Sequence, residues 1–287
     1  MSRRRPSGLN RPMSAQAGEW GRGKLLAVLI TAAVVVSLLA VGLVVALDTT
    51  LRPRPPAPQG APPAVPSPSE RGPVQPGDEE QTHRDSLAAT PMRSVPLSAA
   101  LPQAVSVRAP GVIILPRPTR IGPVGVLTGY PHTPQGALAQ LAALDKAAMQ
   151  PANLGAARAV IAAWAAPGGP TPESWSGVKA MADFLTALGM SGGGSPDLAL
   201  VVTPLMGLVK GTVGPDFVVA CVDFEFDATV QMTLRVAVAD CQRMVWQGDR
   251  WVVGPGEEPA RAPSVWPDTD TAIDAGYLDL RVEGAGR

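Results

Sequence analysis

Asp223, Glu225 and Asp227 recur at every second position, so a strand that carries them lines three carboxylates along one face. Carboxylates so placed serve as acid and base, or hold a hard cation. Their alternation with Val222, Phe224 and Phe226 supports a plainer reading, a solvated sheet face, and if that face has a function it is to meet a basic partner surface. Nothing nearby in the sequence supplies the further oxygen ligands a cation needs, so the face is a candidate for partner binding and neither metal nor cofactor is assigned. The only two cysteines, Cys221 and Cys241, are a candidate disulfide if the strand register brings them together. Gly189-Met190-Ser191-Gly192-Gly193 fits the G-x-S-x-G spacing of a hydrolase nucleophile. That turn needs a strand before the serine and a helix after it, whereas a helical pattern precedes this one and glycines follow. The only histidines, His83 and His132, both lie upstream, so no base follows the serine in the order such enzymes use. No catalytic residue is assigned, and His132 is expected to pack or bond to backbone at a helix entrance.

The elements that position these groups change period half-way along the chain. Thr133-Pro134 offers a hydroxyl cap and a proline at the first helical position before Leu138, Leu141 and Leu144. Thr171-Pro172-Glu173 repeats the device before Val178, Met181, Phe184, Leu185 and Leu188, with Gly189 as the stop. A shorter helix over 156–165 lies between them. Beyond residue 220 the period falls to two: Val222, Phe224, Phe226, then Val230, Met232, Leu234, Val236 and Val238 share one face and predict two half-buried strands. A tight turn at 227–229 sets Cys221 opposite Arg235, and a wide turn around Gln231 sets the cysteines opposite each other. Both registers keep the even side chains inward, so the pattern does not choose between them. A hairpin over 244–253 turns at Gln247-Gly248-Asp249 with Trp246 and Trp251 on its arms. The run 255–267 is expected to cross the domain as a strap anchored by Trp266, ahead of a short helix at 269–275. Helices followed by an antiparallel meander predict an α+β domain with helices packed on one face of a curved sheet.

Upstream, Leu25 to Leu47 carries no charge and follows Arg22 and Lys24. It is long enough to cross a hydrocarbon core of about 30 Å and longer than the apolar core of a cleaved signal peptide. Arg3, Arg4, Arg5 and Arg11 add to the basic side, which places the N-terminus in the cytoplasm. Prolines crowd residues 52–76, a composition that favours an extended stalk. The expected order is a basic tail (1–24), a spanning helix (25–47), a proline-rich disordered stalk (48–104) and an exported domain (105–287). The chain carries 24 basic and 24 acidic residues for a formal charge of zero, so no general attraction to nucleic acid is expected.

The strings G-Y-P-H-T-P-Q-G-A at 129–137, A-D-C-Q-R-M-V-W at 239–246 and D-R-W-V-V-G-P-G at 249–256 resemble those of uncharacterised bitopic membrane proteins of actinobacterial conjugative elements. Those proteins are similar in layout to assembly subunits of type IV secretion systems, whose exported part is a nuclear-transport-factor-like or cystatin-like roll. The resemblance implies a scaffold or channel component in the cell membrane, with other envelope subunits or further copies of itself as partners. It carries over no catalytic residue. Capture of a small apolar ligand between helices and sheet is the alternative function. A large apolar pocket would favour ligand capture, and a filled roll with exposed apolar residues would favour docking.

Overall fold

Thr133 and Pro134 start the helix around which the domain packs. In the computed structural model, which describes residues 76–284, the Thr133 hydroxyl accepts the Gly136 amide at 3.1 Å and Pro134 takes the first turn. In chain order the elements are helix α1 (Pro76–Ala89), strands β1 (Val112–Leu115), β2 (Arg120–Ile121) and β3 (Leu127–Thr128), and helices α2 (Pro134–Met149), α3 (Leu154–Trp164) and α4 (Ser176–Ala187). Strands β4 (Ala199–Thr212), β5 (Phe217–Thr229), β6 (Thr233–Gln247) and β7 (Arg250–Val253), helix α5 (Asp270–Asp274) and strand β8 (Leu278–Val282) complete it. The apolar run 25–47 and residues 48–75 lie outside the described residues. Among the described residues no helix is long and apolar enough to cross a membrane.

The protein is α+β. Six strands form one sheet in the order β1-β8-β4-β5-β6-β7, antiparallel except for β1 beside β8, while β2 and β3 form a separate hairpin. Irregularities in β4 at Pro204/Met206 and Val209/Gly211 bend the long strands, and the sheet curls into a half-barrel packed with helices. Leu138, Leu141 and Leu144 of α2 meet Val218, Ala220, Val222, Phe224 and Phe226 of β5 in the main core. The even side chains of β5 therefore point at the helices.

The opposite face is not solvated, contrary to the sequence reading. Met92, Val95 and Ala99 on the N-terminal side, with Val265, Ala272 and Tyr277 on the C-terminal side, cover Cys221, Cys241 and Met206 in a second core. A third small core seats α1, through Leu87 and Ala88, on Phe217 and Val219. Residues 76–104, assigned to the stalk by composition, thus include a helix and a covering segment, and the folded part starts ahead of residue 105. A further correction concerns α4, which begins at Ser176. Thr171 instead closes a turn with Ser174, and the free Ser176 amide is capped by the Glu258 carboxylate at 2.8 Å. Val230 and Met232, read as core positions, sit at the β5–β6 turn and are 41% and 54% exposed.

Candidate functional site

The β5–β6 register is the wide one, pairing Cys221 with Cys241 and Asp227 with Arg235. Ala239 donates its amide to the Ser264 hydroxyl at 3.0 Å, and the Arg243 carbonyl accepts from Gly254 at 2.6 Å. The odd residues of β6 therefore turn their backbone groups away from β5, so the cysteines face one another as the close, non-hydrogen-bonded kind of pair. Their Cα atoms are 4.1 Å apart and the sulfurs are bonded. Met92 Sδ lies 3.6 Å from Cys241 Sγ, under the covering segment.

The same register divides the three carboxylates that were expected to share a solvated face. Asp223 is fully buried, and neither of its oxygens has a hydrogen-bond partner. Burial holds its carboxyl well above the usual range, with the Val265 backbone acting in the opposite direction. Glu225 is 8% exposed and paired with Arg235, and Asp227 lies 3.0 Å from the same guanidinium. Arg235 in turn covers the ring of Trp266, which anchors the strap, at 5.1 Å. Glu225, Asp227 and Arg235 thus tie the sheet to the strap, with Arg235 and Asp227 still partly exposed and Asp223 interior, so the three carboxylates do not share one solvated face. The physical reason is the second core: once segments from both ends of the domain cover the odd face, carboxylates on it must be neutralised or paired.

His132 stacks on Trp246, with ring centroids 4.3 Å apart, and its Nε2 lies 2.8 Å from Asp216 Oδ1. The nearby Thr133 hydroxyl is committed to the cap of α2. Ser191 follows the left-handed Gly189 (φ 69°) that ends α4, where the Met190 amide returns to the Leu185 carbonyl. The G-x-S-x-G spacing is thus a helix stop. Among the described residues no group of three His, Cys, Asp or Glu side chains is placed to hold a metal ion.

The sequence reading passes over a polar cluster on the concave face of the sheet. Gln242 Nε2 donates to both Asp240 oxygens, at 2.9 and 3.2 Å, while Gln242 Oε1 and Asp145 Oδ2 are buried without partners. Burial, with repulsion from Glu258, pushes Asp240 up to about 6, and burial beside Asp240 raises Asp145 well above its ordinary range. The signal was present: Asp145 follows Leu138 and Leu141 on the α2 stripe, and Asp240 and Gln242 continue the inward series Val236, Val238. A polar side chain at an apolar phase marks either a satisfied core group or a site.

Beside this cluster the concavity holds apolar side chains. Leu138, Leu141, Leu144, Met181 and Leu185 fill it and are almost completely buried. Among the described residues, two open hollows lie on the outside, flanking the β2–β3 hairpin. One of about 230 Å³ is lined by Arg120, Gly122, Thr128, Asp249 and Arg250, and one of about 350 Å³ by Leu127, Ala143, Lys146, Ala147 and Gln150. Comparison with protein-family models, with curated proteins and with solved structures finds no match.

Proposed function

We propose that this chain is a single-pass membrane subunit of an envelope-spanning secretion or conjugation apparatus, and that its exported domain works by docking other proteins. The observation that carries the reading is the filled concavity beside apolar side chains left outside. Leu141 and Leu144 of α2 are buried in the core with the sheet, whereas Ile121 is 73% exposed and Leu127 and Ile114 stand out beside it and along the sheet edge. A ligand-binding half-barrel needs the reverse arrangement. The sequence adds the uncharged run Leu25–Leu47 behind a basic tail, which reads as an anchor with the N-terminus in the cytoplasm. The half-barrel is read more finely as a nuclear-transport-factor-like or cystatin-like roll, in keeping with the secretion-subunit resemblance.

Ligand capture is the second reading, and it draws on the orphaned Asp145 and Gln242 oxygens of the concave face. Native mass spectrometry of the full-length protein, extracted from its own membrane in mild detergent, separates the two. Docking predicts a protein assembly larger than one chain with no stoichiometric small molecule. A monomer carrying one tightly held small molecule would overturn docking in favour of capture.

A further inference from the structure

The β2–β3 hairpin is hydrogen-bonded to two helices and leaves apolar side chains in water. Thr128 donates its hydroxyl to Gln140 Oε1 at 2.7 Å, and Gln140 Nε2 donates to the Leu127 carbonyl at 3.1 Å, so a buried amide of α2 grips strand β3. Trp164 of α3 donates its indole N–H to the Pro123 carbonyl at 3.2 Å. Gly122 packs so close that a Cβ there would lie 2.8 Å from the Trp164 ring. On this platform Ile121 and Leu127 face each other across the strands, and both are exposed. Val124 between them takes a left-handed backbone (φ 49°, ψ 28°), which a β-branched residue rarely adopts. Its side chain is 53% exposed. Strain of this kind persists where the surroundings enforce it, and a preformed ridge loses little freedom when a partner binds.

Charge indicates the partner. The hollow on one side of the ridge holds Arg120 and Arg250, and the hollow on the other side holds Lys146. Arg120 is paired with Asp249 at 2.6 Å, but among the described residues neither Arg250 nor Lys146 has a carboxylate partner. The Arg250 guanidinium carbon lies over the Trp164 ring, 4.6 Å from its centroid. In a chain of zero formal charge this surface is locally cationic.

We infer that the β2–β3 ridge and its two cationic hollows form the docking surface for an acidic segment of another subunit, with apolar side chains seated against Ile121, Val124 and Leu127. The inference deepens the docking reading and rests on it. Carboxylates of the segment meet Arg250 and Lys146 from opposite sides of the ridge, and the apolar contact supplies the area that ion pairs alone do not.

The test uses full-length protein in nanodiscs and three labelled twelve-residue peptides in which Leu alternates with Glu, with Lys or with Ser. The Glu peptide is expected to bind most tightly and to weaken with salt. Lys146→Glu and Val124→Asp should each weaken it about tenfold, while Val230→Asp, at an exposed turn elsewhere, leaves it unchanged. Lys146 is exposed, so its reversal does not threaten the fold, and retention of the Cys221–Cys241 bridge checks each variant. Equal binding of the Lys or Ser peptide, or no loss in Lys146→Glu, overturns the inference. A photo-reactive residue at Ile121 in native membranes should then cross-link to acidic segments of other subunits. Cross-links to a second copy of this chain, or to lipid alone, overturn it. Glu-peptide binding that survives when the captured proteins belong to no secretion apparatus keeps the surface and removes the apparatus.

Discussion

Asp240 shows how a single carboxyl reports on the inside of this half-barrel. Its pKa in the folded protein, about 6, lies above the ordinary value near 4. The folded state therefore keeps a proton that the unfolded chain releases as pH rises past about 4, and stability falls across the interval from about 4 to about 6. Burial and the nearby Glu258 raise the Asp240 pKa, the Gln242 side chain and the Cys241 backbone oppose the rise, and Asp145 is the neighbouring carboxyl that Asp240 in turn raises. Asp240→Asn retains an acceptor for Gln242 and removes the charge. Urea unfolding should show a gain on the order of 2 kcal/mol at pH 7 that disappears at pH 4. An equal effect at both pH values would mean that the surroundings do not raise the pKa of this carboxyl. Asp223 is buried in the same sense on the other face, so its charge reversal reports on folding and not on a partner. The alternation that placed it on one strand face was legible. That the face would be covered was not, because the covering residues lie more than a hundred positions upstream and some forty downstream of it, and no local period records such a contact.

At the scale of elements, legibility follows how local the cause is. Thr133 caps α2 through an amide three residues away, and the sequence states it completely. Thr133→Ala should cost about 1 kcal/mol in chemical denaturation. Thr171→Ala should cost less, because the α4 amide of Ser176 is capped by Glu258, which is remote in sequence. A larger loss from Thr171 than from Thr133 would reverse the assignment of caps. The β6–β7 hairpin was legible for the same local reason: Gly248, at φ 67°, makes the turn and sets Trp246 opposite Trp251. Strand β4 was not, since Pro204, Gly207 and Gly211 interrupt its pattern where the strand bends. Strands β1 and β8 escaped too, being short and paired across most of the domain. The β5–β6 register stayed open in the sequence, because both alternatives keep the same face inward.

Taken whole, the described domain packs apolar side chains inside the sheet and leaves others exposed outside it. The α+β class was legible from the change of period. The ridge proposed to bind was not, for of the carboxylates that stood out in the sequence Asp223 is buried and Glu225 and Asp227 are paired with Arg235, while the β2–β3 ridge owes its character to a buried Gln140 and a close glycine that mean nothing until packed. Cross-linking mass spectrometry on native membranes containing the full-length protein tests the docking account most directly. The account predicts cross-links from the exported domain to other envelope subunits of a secretion or conjugation apparatus, centred on residues 120–128 and 146. Cross-links confined to the chain itself, with no such subunit recovered, would contradict it.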